Sequence, residues 1–162
     1  MKKLLMYTAV LALATALSIP ATHVSARNDD SNVTHIDGNE QFAPTRRGLA
    51  RHTFRVHIPK NSKGVSQLSI EVPTTVTLTN DIDDIDVVDE NGQKINTNVS
   101  VNGKTILLSF TEPVAPNTDL EIDLNDVKRR HLGNSYVYRF RAKFAGSDAE
   151  IPIGVASFRM HH

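Results

Sequence analysis

The sequence predicts an all-β protein: a signal peptide followed by an antiparallel, immunoglobulin-like β-sandwich of about 7–9 strands. Three observations predict this fold. Apolar and polar residues alternate in short segments from His52 onward, as in strands that bury one face. Turn-forming residues separate these segments. The chain after the signal peptide contains neither a convincing amphipathic helix nor an internal repeat.

The N-terminal segment has the parts of a secretory signal peptide. Lys2 and Lys3 precede an apolar run over about residues 4–17, and Val24 and Ala26 are the small residues that signal peptidase requires. The run is shorter than the roughly 18–20 residues of a membrane-spanning helix. We therefore predict cleavage after Ala26 (signal peptide 1–26) and a periplasmic or extracellular protein with no transmembrane segment in its mature chain.

Composition excludes several kinds of chemistry. The chain has no cysteine, which excludes disulfides, a lipid-modified cysteine and thiolate metal sites. The signal peptide contains two of the 18 basic residues and none of the 18 acidic ones, so the mature net charge is −2. Nothing in this balance indicates a nucleic-acid partner.

The first mature residues are polar. Residues 27–50 contain Gly38, Pro44 and Gly48 and show no sustained period. We interpret them as a flexible leader, in which a tether is favoured over a recognition segment. The folded domain is then predicted to span residues 51–162.

The alternating segments follow in order. They are "HTFRVHI" (52–58), "LSIEV" (68–72), "TVTLT" (75–79), "DLEIDL" (119–124), "YVYRFRAKF" (136–144) and "IPIGVASFRM" (151–160), with further strands around two Asn-Gly turns. His52 and His57 lie five apart on one strand, so they are predicted to point to opposite faces.

Two strand pairings are suggested by residue parity. A two-residue turn at Asn102-Gly103 would place Val99 opposite Ile106, and Ile95 opposite Phe110. If the strands around "DVKRRHLGN" also pair, the acidic side chains of the first would lie beside the basic ones of the second, namely Asp119 and Glu121 beside Arg139 and Arg141. The basic stripe would then help to fix strand register, and the alternative is a binding surface for an anionic polymer.

The segment "DIDDIDVVDENG" (81–92) is the densest acidic stretch. It does not fit a helix–loop–helix calcium loop, because Ile85 and Gly92 occupy ligand positions. A bulge with Gly92 at a positive φ angle would align Val87 with Ile95 and turn Asp84 and Asp86 outward. A charged hairpin edge is the favoured interpretation. A weak calcium site is the alternative, with the ligands Asp81, Asp83, Asp84 and Asp86.

The chain ends on a second candidate metal site. Met160, His161 and His162 supply thioether and imidazole groups that suit copper. A frayed chain end is the favoured alternative.

Catalytic signatures are missing. The sequence has no G-x-S-x-G nucleophile elbow and no glycine-rich phosphate loop. Glycoside hydrolysis needs a cleft, usually with aromatic platforms, whereas this chain has no tryptophan and its mature tyrosines alternate into the predicted core. We predict neither catalytic residues nor a cofactor.

Three ordered segments carry a family resemblance. "HTFRVHIPKNSKGVSQLSIEVP", "LSFTEPVAPNTDLEIDL" and "YVYRFRAKFAGSDAEIPIGVASFRM" resemble a cyanobacterial family of exported proteins known as a domain of unknown function (number 2808). The resemblance implies an exported, immunoglobulin-like sandwich of the cell envelope and gives no functional residues.

Together these observations predict a non-enzymatic exported β-sandwich, a binding or structural module of the cell envelope or extracellular matrix. The sequence does not identify its partner, for which an envelope protein and a polysaccharide are the candidates. The alternative is a periplasmic protein that binds calcium or copper.

Overall fold

A computed structural model describes residues 32–42, 49–78, 82–129 and 135–159. Its strands are β1 (His35–Phe42), β2 (Leu49–Ile58), β3 (Val65–Glu71), β4 (Val76–Thr77), β5 (Ile85–Asp89), β6 (Thr97–Asn102), β7 (Thr105–Val114), β8 (Thr118–Arg129), β9 (Ser135–Phe144) and β10 (Glu150–Arg159). A short 3₁₀ helix, Ile82–Asp84, precedes β5. Within the described ranges, no helix is long and apolar enough to span a membrane.

The strands form two antiparallel sheets, which confirms the predicted fold class. Sheet A has the order β1-β2-β8, and both β4 and β5 pair with the other side of β8. Sheet B has the order β10-β9-β3-β7-β6. Each sheet has five strands, so the described part of the chain holds more strands than predicted.

The core lies between the sheets. Alternate residues of each strand point inward, because successive side chains of a strand face opposite sides. The largest fully buried side chains are Tyr136, Tyr138, Phe54, Phe140, Ile58, Leu68, Ile70, Ile106, Leu108, Leu120, Ile122 and Leu124. The two tyrosines therefore belong to the core, as predicted.

A histidine is buried among these aromatic rings. His52 Nδ1 lies 2.7 Å from the Tyr138 hydroxyl, and its ring stacks on Phe158 at a centroid distance of 4.5 Å. His57 lies on the outer face of the same strand and is partly exposed. The prediction that these two histidines point to opposite faces is confirmed.

The prediction of a flexible leader is wrong for residues 35–42, which form β1 and pair with β2. The alternation of β1 is hard to read because the strand is polar and carries a register shift between Ile36 and Gly38. It is an edge strand of sheet A with mostly polar, partly exposed side chains, so its hydrophobic pattern in the sequence is weak. Residues 27–31 and 43–48 lie outside the described residues, as does the predicted signal peptide.

The turn between β6 and β7 differs in register from the prediction. Asn102 pairs with Thr105 and Val99 pairs with Leu108, not Ile106. The turn residues are thus Gly103 and Lys104, and only Gly103 of the Asn-Gly pair has a positive φ, 60°. A turn with glycine at its first central position is the type II′ alternative to the predicted type I′ turn. The shift is two residues, so the same side chains still face the core.

The predicted pairing of the strands around "DVKRRHLGN" is wrong. β8 belongs to sheet A and pairs with β2, while β9 belongs to sheet B and pairs with β3 and β10. Parity and charge cannot distinguish a hairpin from a crossing between sheets, because both keep the apolar residues facing inward.

The bulge predicted at Gly92 is confirmed. Gly92 has a φ of 75°, and the Ile95 amide donates to the Val87 carbonyl at 2.9 Å. Asp89 stabilises the turn by accepting hydrogen bonds from the Asn91 and Gln93 amides through Oδ1. This turn positions the end of the acidic segment.

Candidate functional site

The outer face of sheet A carries most of the charged side chains that the structure brings together. We call it the charged face. Among the side chains that form its ion pairs and line its cleft, carboxylates outnumber cations: Asp37, Glu40, Asp86, Asp119, Glu121 and Asp123 against Arg51, Arg55 and Lys94. Antiparallel pairing aligns those of β1, β2 and β8 in rows across the three strands, and Asp86 lies on the neighbouring strand β5.

The central row is an ion-pair network around Arg55. Its Nη1 donates to Glu40 at 3.1 Å on β1, and its Nε donates to Glu121 at 3.3 Å on β8. Burial by itself lowers the pKa of Arg55, but the charges and hydrogen bonds of Glu40 and Glu121 outweigh it and raise that pKa. Arg55 therefore links three strands as a permanent cation.

A row of two histidines and an aspartate runs beside it. His35 on β1 stands opposite His57 on β2, which stands opposite Asp119 on β8. His57 Nδ1 lies 2.6 Å from Asp119 Oδ1, and the two histidine ring centroids are 5.5 Å apart. On the other side of Arg55, the Thr53 hydroxyl donates to Asp123.

The acidic segment 81–92 does not form one cluster. Asp83 and Asp84 lie in the 3₁₀ helix, and Asp86 lies on β5. Asp86 is bonded to Lys94 at 2.9 Å and to the Asn125 amide at 3.3 Å, so a calcium ion would have to compete with both. Asp81 lies outside the described residues. The calcium site stays a prediction.

The predicted copper site, formed by Met160, His161 and His162, also lies outside the described residues. It therefore stays a prediction. Among the residues with a described position, no three His, Asp or Glu side chains come together closely enough to hold a metal ion by themselves.

Two open clefts flank the turn after β5. The first, about 350 Å³, lies on the charged face between Asp37, Arg55, Asp89, Glu90 and Asp119. The second, about 410 Å³, lies toward β7 and shares Asp89 and Glu90 with the first. Both volumes fall within the range of small-ligand sites, about 300–1,000 Å³, and carboxylates border both.

The outer face of sheet B has the opposite character. Arg139, Arg141, Lys143 and Arg159 are at least partly exposed there. Arg139 pairs with Glu71 at 3.5 Å, and Gln67 donates to Glu150. The partner of Arg139 is thus a residue of β3, and the predicted contact with an acidic ladder on β8 is wrong.

The site residues that sequence reasoning missed are on β1: His35, Asp37 and Glu40. Their segment was predicted to be a flexible leader, so their side chains could not be assigned to a face. The only signal in the sequence is weak: the segment "HIDGNE" (35–40), which begins with His35 and ends with Glu40, has mixed polarity.

Comparison with protein families identifies the chain. The model of the family described as "Protein of unknown function (DUF2808)" matches residues 31–158. The chain belongs to this family. This match confirms the family that the sequence resembles. It also includes β1, so the similarity to the family extends into the predicted leader. No curated protein matches this DUF2808 chain.

Solved structures share the fold of this DUF2808 domain. The bacterial hydrophobin BslA has a TM-score of 0.53 and 14% identity over 78% of this chain and 92% of that one. The N-terminal domain of the Streptococcus gordonii adhesin Sgo0707 has a TM-score of 0.51 and 9% identity over 82% of this chain and 33% of that one. The RrgA Jo.In complex has a TM-score of 0.50 and 8% identity over 76% of this chain and 78% of that one. At these identities the likeness concerns the fold alone.

Proposed function

We propose that the protein is exported and serves as a non-enzymatic binding or structural module of a cyanobacterial cell envelope or extracellular matrix. The observation that carries the proposal is the charged face of sheet A, where cross-strand ion pairs hold carboxylates in fixed rows beside an open cleft. A rigid surface of this kind recognises a partner by charge complementarity. The partner is a cationic or hydroxyl-rich surface, such as an envelope protein or a polysaccharide.

Two further points support this proposal. The N-terminal segment has the pattern of a secretory signal peptide. The fold is also that of proteins described as a bacterial hydrophobin and as an adhesin domain. Folds host many functions, so the charged face is the stronger argument.

The test compares two matched pairs of substitutions in a sedimentation assay with isolated cell envelopes. Glu40→Gln with Glu90→Gln removes two exposed carboxylates from the charged face and the adjacent turn. Glu71→Gln with Glu150→Gln removes two from sheet B. We expect the first variant to lose most of its envelope binding and the second to bind like the unmodified protein, because only the first changes the recognition surface. Binding of the unmodified protein to the envelopes should weaken with added salt, because salt screens the interactions between exposed charges.

Three results would contradict the proposal. Equal binding by both variants would show that the charged face is not the contact surface. A hydrolytic activity of the purified protein that disappears on one substitution would show that the protein is an enzyme. Cell fractionation tests export separately, and a protein found only in the cytosol contradicts it.

A further inference from the structure

We propose that His35 and His57 form a binding site for one divalent transition-metal ion, of which Zn²⁺ and Cu²⁺ are the natural choices for imidazole ligands. The site lies on the charged face, at the row formed by β1, β2 and β8. It is distinct from the predicted calcium and copper sites and does not depend on the proposed function.

The hydrogen bonds of the two histidines identify the nitrogen that would bind the metal. His35 Nδ1 lies 2.9 Å from the Val33 carbonyl oxygen. A carbonyl oxygen can only accept, so His35 Nδ1 carries the proton. His57 Nδ1 lies 2.6 Å from Asp119, and an ionised carboxylate also only accepts. In a neutral ring protonated at Nδ1, the lone pair for a metal bond is on Nε2.

This arrangement matches the surroundings of known metal-binding histidines. Such a histidine usually donates its second ring N–H to a carboxylate or a backbone carbonyl, which fixes its tautomer and its orientation. Here one histidine has the carboxylate of Asp119 and the other has the carbonyl of Val33. Both kinds of supporting partner are therefore already in place.

The distance between the rings also fits. Metal–nitrogen bonds to histidine are about 2.0–2.1 Å long, so two rings that share a tetrahedral ion through Nε2 have centroids about 5 Å apart. The centroids of His35 and His57 are 5.5 Å apart, with ring planes at 60°. The observed separation of the centroids is thus within about 0.5 Å of the separation that a shared ion requires.

The surroundings favour a cation. Asp119 and Glu121 border the adjacent cleft together with Asp37, against a single arginine, Arg55. A predominantly negative surface raises the local concentration of cations. No third His, Asp or Glu of the described residues completes the site, so water would fill the remaining coordination positions.

The test is calorimetric titration of the purified exported protein with Zn²⁺, together with electron paramagnetic resonance of the Cu²⁺ complex. We expect His35→Gln and His57→Gln each to weaken Zn²⁺ binding by about ten-fold or more, because each removes one of two protein ligands. The Cu²⁺ spectrum is expected to change from coupling to two imidazole nitrogens to coupling to one.

Asp119 is a positioning residue in this site. Asp119→Asn is expected to weaken Zn²⁺ binding by about 10–100-fold and to change the tautomer of His57, which imidazole nitrogen chemical shifts report. Asp123→Asn is the matched control, since it removes a carboxylate of the same strand that bonds to Thr53 instead. It is expected to leave the affinity unchanged.

A further control removes the histidines at the chain end. His161→Gln with His162→Gln is expected to retain the site, whereas loss of all binding in this variant would overturn the proposal. Unchanged affinity in both His35→Gln and His57→Gln would overturn it as well. If a variant fails to fold, the unmodified protein still provides the test: Zn²⁺ must shift the Nε2 resonances of His35 and His57, and the absence of that shift refutes the site.

Discussion

At the scale of single residues, the surroundings of a histidine decide its role. His52 and His57 belong to the same strand, but His52 is fully buried against Tyr138 and Phe158, whereas His57 lies at the surface beside Asp119. A buried polar group is stable only when it is hydrogen-bonded. His52 is therefore part of the core, whereas His57 belongs to the charged face, where Nδ1 lies 2.6 Å from Asp119.

The hydrogen bond between His52 and Tyr138 gives a prediction about stability. Tyr138→Phe keeps the ring but removes the hydroxyl that lies 2.7 Å from His52 Nδ1. We expect the free energy of unfolding to fall by about 1–3 kcal/mol, the cost of losing one partner of a buried hydrogen bond. Urea denaturation measures it. A double-mutant cycle with His52→Leu is the control, and additive effects of the two substitutions would contradict a direct interaction.

At the scale of elements, turns that depend on one glycine are the most predictable feature. The Gly92 bulge follows from the need to keep Asp86 out of the core, and the structure has the bulge at that residue. The Gly103 turn was predicted two residues out of register, because Asn-Gly fits a type I′ turn while Gly-Lys fits a type II′ turn.

The Gly92 turn can be tested against a second glycine. Gly92→Ala places a side chain at a φ of 75°, and we expect it to destabilise the protein by about 1 kcal/mol. Gly38→Ala is the matched control, because its new Cβ would meet nothing within 4 Å. We expect it to be neutral or slightly stabilising. Thermal unfolding compares them, and equal losses for both would show that the φ angle of Gly92 is not the cause.

Pairings between distant strands are less predictable than turns. The acidic residues of β8 find their partners on β2, where Arg55 bonds Glu121 and His57 bonds Asp119. The sequence suggested β9 as the partner of β8, because the basic side chains of β9 also complement the acidic ones of β8. For the same reason the histidine pair was out of reach of sequence reasoning: His35 lies in a polar edge strand whose pattern resembled a leader. Its only strong signal is its position opposite His57, which depends on the fold.

At the scale of the whole molecule, β1 connects the two sheets. It pairs with β2 in sheet A along its length and also packs against β10 of sheet B. The Asn39 amide donates to the Ser157 carbonyl at 3.0 Å, and a Cβ added at Gly154 would lie 3.2 Å from the Ile36 side chain. The polar N-terminal segment therefore closes one side of the sandwich.

This role distinguishes the fold from a domain with a flexible leader. Deleting residues 27–42 removes β1, exposes the backbone edge of β2 and uncovers the surface of β10 at Gly154. We expect the melting temperature to fall by roughly 5–10 °C, the shift that about 2–3 kcal/mol produces in a domain of this size. We also expect aggregation, because an unprotected strand edge pairs with other chains.

Deleting only residues 27–31, which precede the described residues, is the control and is expected to change neither property. An unchanged melting temperature after the longer deletion would show that β1 contributes nothing to stability and that the domain begins at β2.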